Sequence, residues 1–357
     1  MTTYKTTPVA EFSIHHTQFI DPNGQATQPL PDFATQEKLT TLYQSMLTLR
    51  TFDKKTINLQ RTGKMGTYPS CRGSEALSIG IGDTILPEDV FCPYYRDQGV
   101  LFQRQGSLLS ILQYWGGNEK GSLAQHDKDL PVCVPIASQC LHAAGIAFSF
   151  QYRQEARVAV CTLGEGGTSE GDFYEAINLA GAWNLPVVFI VNNNQWAISV
   201  PLSEQTRCQT IAQKAIAAGI PSLQVDGNDV VAVKCATELA IDTARAGQGP
   251  TLIEALSYRL CDHTTADDAS RYQSQEHRQA AEKNEPLLRL RTFLSNTYGL
   301  TQSDYDEFQA NSDAVINDAV EKYLQQTPCP PTAAFDHLFE ELPDAYIEQY
   351  DAIGAQS

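Results

Sequence analysis

From about residue 140 the chain alternates between two kinds of segment, and this alternation limits its fold more than any other feature. Helix-like "LHAAGIAFSFQYR", "FYEAINLAGAW", "IAQKAIAAG" and "VVAVKCATELAIDTARAG" are interleaved with strand-like "RVAVCTL", "PVVFIV", "SLQVDG" and "TLIEALSYRL". The strand-like runs are short, apolar and β-branched, and the helix-like runs carry apolar residues at helical spacing. Strands joined by crossover helices run parallel, and a parallel sheet is covered on both faces. The expected class is therefore α/β, a parallel sheet with helices on both sides. Upstream, Leu39, Leu42, Met46, Leu47 and Leu49 recur near helical spacing, and Gly63 marks a stop. Further helical pieces are expected at "GSEALSIGIGDTIL" and "SLLSILQYW". Residues 1–38 contain Pro8, Pro22, Pro29 and Pro31 and read as an extended arm. Residues 39–290 read as the α/β domain and residues 291–357 as a helical extension, broken at "TPCPP".

With 357 residues, 42% of them hydrophobic, the chain has ample material for a core. Its net charge of −17 argues against a nucleic-acid surface or an anionic membrane as partner. Any phosphate must then be held by local chemistry. The nine cysteines are scattered and never spaced CxxC, which suits free thiols in a reducing compartment and gives no cysteine zinc site. No run approaches the roughly eighteen apolar residues of a membrane span, and "MTTYKTTPVAEFSIHH" resembles neither a secretory signal nor a transit peptide. A soluble, intracellular protein is expected.

The turn "GEGGTSEGD" (Gly164–Asp172) follows a predicted strand and opens a predicted helix. At the carboxyl end of a parallel strand such a turn faces the ligand crevice, and its amides suit an anion. A dinucleotide fingerprint needs a third glycine where Ser169 stands, and an acid at the next strand end where asparagines stand. A P-loop needs a lysine after the glycines, and none follows. The remaining reading makes Glu165 a metal ligand. Strands "RVAVCTL" and "PVVFIV" should end at one rim, so Glu165 and Asn194 can meet over a hard cation such as magnesium while the glycine amides hold a diphosphate.

A glycine–acid–glycine turn followed after roughly thirty residues by paired asparagines is the thiamine diphosphate motif. "LGEGGTSEGDFYEAINLAG" with "NNNQWAIS" resembles the alpha subunit of 2-oxoacid dehydrogenases. "YYRDQGV", "IPSLQVDGND", "GPTLIEALSYR" and "HTTADDASRY" are similar to segments of that subunit in the same order, and "FEELPDAYIEQY" is similar to the tail of bacterial pyruvate dehydrogenase alpha subunits. The resemblance implies a thiamine diphosphate-binding fold, with magnesium ligated by Glu165, Asn194 and the carbonyl of Trp196. It implies that Tyr95, Arg96, Gly164, Gly166 and Gly167 hold the diphosphate, that Ile136, Ala197 and Ile198 contact the cofactor, and that His263 is the catalytic histidine. Tyr68 and Ser70 lie where the family shapes the substrate mouth.

It further implies oxidative decarboxylation of a small 2-oxoacid, pyruvate first and branched-chain 2-oxoacids or acetoin next, with transfer of the acyl group to a lipoyl disulfide. The activating acid of the family comes from a separate beta subunit, so an alpha2beta2 heterotetramer is expected, docked on a lipoyl-bearing dihydrolipoamide acyltransferase. A bacterial cytoplasm suits this reading better than a mitochondrial matrix. Two positions depart from the pattern. Glu165 replaces the commoner aspartate, as in branched-chain enzymes, and Gln273 stands where an arginine often helps to order the histidine loop.

Taken singly, these residues have plainer readings. Arg96 alone reads as a surface ion-pair residue, His263 as a solvated loop histidine, His126 as a loop residue and His142 as a core histidine on an apolar helix face. A nicotinamide-dependent dehydrogenase and a non-catalytic structural subunit are the two competing readings of the whole chain.

Overall fold

The computed structural model describes residues 6–104, 106–123, 126–336 and 338–355. The first five residues of the expected arm and the last two of the expected extension lie outside these ranges. Strands β1 (His16–Thr17), β2 (Val90–Cys92), β3 (Ala159–Gly164), β4 (Val187–Asn193), β5 (Trp196–Ala197), β6 (Val200–Pro201), β7 (Ser222–Asp226) and β8 (Thr251–Leu256) form two sheets. Six make one parallel sheet in the order β1-β7-β8-β4-β3-β2, and β5 with β6 makes a two-stranded antiparallel ribbon. The four strands expected from the apolar runs, β7, β8, β4 and β3, form its centre. The two that the sequence did not reveal, β1 and β2, are its edges.

Side-chain alternation along the strands divides the core in two, because successive residues of a strand point to opposite faces. Ala159, Cys161 and Leu163 of β3, with Val187, Phe189 and Val191 of β4, pack against the helices Ser138–Arg153 and Gly171–Trp183 through Ala143, Ala147, Phe173 and Ile177. Val160, Val188 and Ile190 face the other way, onto Val233 and Ala240 of helix Val230–Arg245 and Phe52 of helix Gln36–Arg61. Helix Gln302–Leu324 adds Ile316, Ala319 and Val320 to this second cluster. Helix Ser138–Arg153 turns Gln139, Cys140, Ala143, Ala144, Ala147 and Phe150 inward and leaves His142 exposed. The expectation of a core histidine fails there because small residues fill the buried stripe.

The rim expected for the site follows from register. Gly164, the last residue of β3, pairs with Asn192 of β4, so both strands end level and their next residues emerge side by side.

Candidate active site

At that rim lies a cavity of about 410 Å³. Its wall includes twelve residues singled out from sequence: Tyr95, Arg96, Ile136, Gly164, Glu165 and Gly166, then Gly167, Asn194, Trp196, Ala197, Ile198 and His263. They come from five separate segments, so the fold gathers them. Tyr68 and Ser70 are not in the wall; Thr67 and Pro69 line it instead. Tyr68 Oη and Ser70 Oγ donate to the two oxygens of buried Asp53, at 3.0 and 2.5 Å. His126 also stands outside the wall, with Nδ1 3.4 Å from the guanidinium of Arg104.

The residue after β3 is Glu165, 2% exposed. Its Oε2 accepts from the amide of Asn194 at 3.3 Å, while its Oε1 is buried without a hydrogen-bond partner. Burial pushes the carboxyl above its ordinary value, and the nearby Gln205 side chain, the Asn194 amide and Arg259 oppose that rise. An unpaired buried carboxylate oxygen is costly and calls for a cation or a proton. Of the three successive asparagines, two are committed elsewhere. Asn192 donates to Ser74 and Tyr94 and accepts from Ser257, and Asn193 donates to Glu254 at 2.6 Å. Asn194 alone lines the cavity, its Oδ1 accepting from the Trp196 amide at 3.2 Å.

Backbone geometry keeps the cavity open. A side-chain carbon on Gly166 would come within 2.7 Å of the Ala197 Cβ, so only glycine fits at that distance. Ala137 and Ile198 both line the wall with φ of 64° and 53°. For a branched residue such as isoleucine the left-handed region is a marked departure, sustained only where the surroundings enforce it. Arg259 Nη2 donates to the Ile198 carbonyl at 2.7 Å.

Arg96 is buried rather than on the surface. It donates to the carbonyls of Ser70 and His263, and its guanidinium lies 5.5 Å from the Tyr95 ring centroid. His263 Nδ1 sits 3.4 Å from Arg96 Nη2 and 3.5 Å from Arg259 Nη1. Both neighbours are donors, so Nδ1 is the acceptor and the ring proton is on Nε2. Burial, with Arg96 and Arg259 adding to it, lowers the imidazole to about 4. The ring is neutral near pH 7.

Arg259 is a buried residue at the site that the sequence reading did not single out. At 1% exposure it donates to Ile198 and Trp196 carbonyls, to the Cys261 carbonyl and to Tyr272 Oη, joining the loop after β4 to the loop after β8. The histidine loop is tied down with it. The His263 amide donates to Asp267 at 2.8 Å, Tyr272 Oη donates to the same carboxylate, and the Ala269 amide donates to Asp262 at 2.9 Å. Gln273, standing where an arginine was expected, is buried and donates to the Arg259 carbonyl at 3.3 Å. Tyrosine and aspartate thus do the ordering that a further charge would do.

Residues 43–331 match the model of a family described as Dehydrogenase E1 component. Proteins named pyruvate dehydrogenase E1 component subunit alpha from Mycoplasma genitalium and Staphylococcus aureus are 38% and 37% identical to the chain. They cover 93% and 94% of it, each over 91% of its own length. One named 3-methyl-2-oxobutanoate dehydrogenase subunit alpha, from Mycobacterium tuberculosis, is 43% identical over 78% of the chain and 77% of its own length. The chain belongs to the dehydrogenase E1 component family.

Membership makes thiamine diphosphate the cofactor to fit to this cavity, and the residues suit it. Glycine lets the backbone approach closely at Gly166, two guanidinium groups border the wall, and one buried carboxylate oxygen stands unpaired. Among the described residues no group of three or more His, Cys, Asp or Glu could hold a metal ion. Magnesium bound through a ligand's phosphates needs only one or two carboxylates, so Glu165 with neutral oxygens is a sufficient donor set.

Proposed function

We propose that this chain is the alpha subunit of a pyruvate dehydrogenase-type enzyme, decarboxylating pyruvate oxidatively and passing the acyl group to a lipoyl disulfide. The observation that carries the reading is the unpartnered Glu165 oxygen beside Asn194 at the level ends of two parallel strands. Thiamine diphosphate, when bound, supplies the electron sink that cleavage beside the keto group requires. Glu165, Asn194 and the Trp196 carbonyl would hold magnesium, and magnesium would neutralise the diphosphate. Gly164, Gly166 and Gly167 would offer backbone to the diphosphate, with Tyr95 and Arg96 beside it. Ile136, Ala197 and Ile198 would give the organic part an apolar wall and keep water from it. His263, neutral with its proton on Nε2, would donate a hydrogen bond to charge that develops on the substrate. Tyr68 and Ser70 would shape the substrate mouth from behind, since Asp53 takes both hydroxyls and leaves Thr67 and Pro69 to line it.

The partner follows from what the wall lacks on this reading. In the family resemblance the acid that activates the cofactor's second ring belongs to a beta subunit, so an alpha2beta2 assembly on a lipoyl-bearing acyltransferase core is the working form. The nine free cysteines suit a reducing cytoplasm. Two observations favour a second substrate reading, 3-methyl-2-oxobutanoate: glutamate rather than aspartate at position 165, and the 43% identity to a relative named for that substrate. A panel of pyruvate, 3-methyl-2-oxobutanoate and acetoin, assayed on the chain reconstituted with its beta subunit and an artificial electron acceptor, separates the readings. The proposal expects the highest kcat/KM with pyruvate; a preference of tenfold or more for the branched acid would transfer the assignment.

A further inference from the structure

We infer that Lys214 is a positioning residue of the diphosphate site, holding the glycine turn that carries Glu165 from outside the cavity. The inference rests on the cofactor reading above and adds to it a residue that no part of the motif contains. Lys214 is the one charged residue between Arg207 and Asp226, in the otherwise uncharged run "IAQKAIAAG". A lysine in such a run ordinarily turns its head to solvent.

This one is 5% exposed, at the start of helix Lys214–Ala218. Ile211, Ala212 and Ala215 around it belong to the apolar cluster that β3 and β4 share with helix Gly171–Trp183. The Ala212 amide is also held, donating at 3.1 Å to Glu254, a buried carboxylate of β8 that accepts from Asn193 of β4 as well. The sheet thus sets the point from which the lysine reaches.

Its ammonium is spent on a single residue of the turn. Nζ donates to the Thr168 carbonyl at 2.7 Å and to Thr168 Oγ1 at 2.8 Å, and lies 5.3 Å from the centroid of the Tyr174 ring. Thr168 Oγ1 in turn donates to the Glu165 carbonyl at 2.6 Å. A hydroxyl has one proton, and here it goes to Glu165, so toward the ammonium the oxygen only accepts. A line of buried groups therefore runs from Lys214 through Thr168 to the backbone of Glu165. Neither Lys214 nor Thr168 lines the cavity, so the line reaches the proposed metal-bearing residue without touching the ligand.

No carboxylate lies within ion-pair distance of Lys214 among the described residues. Burying such a cation is costly, and burial lowers the ammonium from its ordinary value, the Cys208 thiol opposing. An apolar side chain would pack there without that cost. What the lysine adds is a pair of charge-assisted hydrogen bonds to the turn. Gly166 and Gly167, whose backbone is offered to the diphosphate, lie between the two tied residues, Glu165 and Thr168. Glycine has the greatest backbone freedom of any residue, so an untied turn would be ordered by the cofactor at the expense of affinity.

The test uses the enzyme assembled with its beta subunit. Lys214→Met keeps the length of the side chain and removes its donors. Affinity for thiamine diphosphate with magnesium should fall at least about tenfold, the loss of one charge-assisted hydrogen bond. The KM for the 2-oxoacid at saturating cofactor should stay within about twofold, since the substrate does not meet this residue. Lys214→Arg, which keeps charge and donors, should recover most of the affinity. In the cofactor-free enzyme, amide exchange at residues 166–170 should be about tenfold faster in Lys214→Met than in the native protein. Undiminished affinity, or exchange no faster, overturns the proposal. So does a KM that rises with the loss of affinity and no recovery in Lys214→Arg, the mark of general damage to the fold. If Lys214→Met fails to assemble, Thr168→Val, which removes only the hydroxyl of the tie, decides by the same affinity and exchange readouts. A native enzyme that binds no thiamine diphosphate would defeat the functional reading instead, and amide exchange would then decide on Lys214 alone.

Discussion

His263 and Arg259 carry most of what is unusual at the scale of single residues. The folded imidazole titrates at about 4, below its ordinary 6.5, so between these values the unfolded chain binds the proton and the folded chain does not. Stability from this group is therefore complete above pH 6.5 and is lost as pH falls toward 4. In cofactor-free protein the melting temperature should drop across that window, and His263→Asn should flatten the dependence. An NMR titration placing His263 near 6.5 would contradict this. Tyr95, Arg96, Glu165 and Asn194 were legible in the sequence because their neighbours carry the motif. Arg259 was not, because it sits inside "TLIEALSYRL", which reads as one strand, whereas β8 stops at Leu256 and releases Arg259 to reach across to Ile198. Arg259→Lys keeps the charge but loses the planar fork. It should destabilise the fold by about 2 kcal/mol in denaturant titration, the scale of hydrogen bonds from a charged donor.

Elements matter here through the lengths at which strands stop. Short apolar runs predicted β3, β4, β7 and β8 because each is long enough, at five to seven residues, to stand out. β1 and β2 are two and three residues long, too short for periodicity, and β1 is polar histidine and threonine at the sheet edge. Pairing with a neighbour, not local preference, makes them strands. The tight turn after β3 is a second consequence of where a strand ends. Gly166→Ala should leave far-ultraviolet dichroism and melting nearly unchanged while pushing Ala197 outward, since the added carbon meets a side chain on the two-residue β5. Cofactor affinity should fall by about tenfold or more, as a small misplacement in a first contact does; equal affinity would show that the ribbon yields freely.

For the whole molecule, the parallel sheet was readable because short apolar strand-like runs are interleaved with helix-like segments. The cavity was readable only in part. The segments that line it lie far apart in sequence and meet through register and crossover geometry, and Tyr68 and Ser70 turn inward to Asp53 for reasons no local pattern announces. On the proposed function the chain supplies the diphosphate-binding half of a site, so purified without its beta subunit it should not turn over pyruvate; steady decarboxylation by the chain alone would refute that division of labour. The central claim is that Glu165, unpaired at the strand ends, is the metal-bearing acid of a thiamine diphosphate site. Calorimetric titration of the reconstituted enzyme with thiamine diphosphate, with and without magnesium, tests it most directly. Magnesium-dependent binding in the native protein and a loss of at least about 100-fold in Glu165→Ala are expected, since even outer-shell metal partners cost 10–100-fold. Equal, magnesium-dependent binding by native and variant proteins would contradict it.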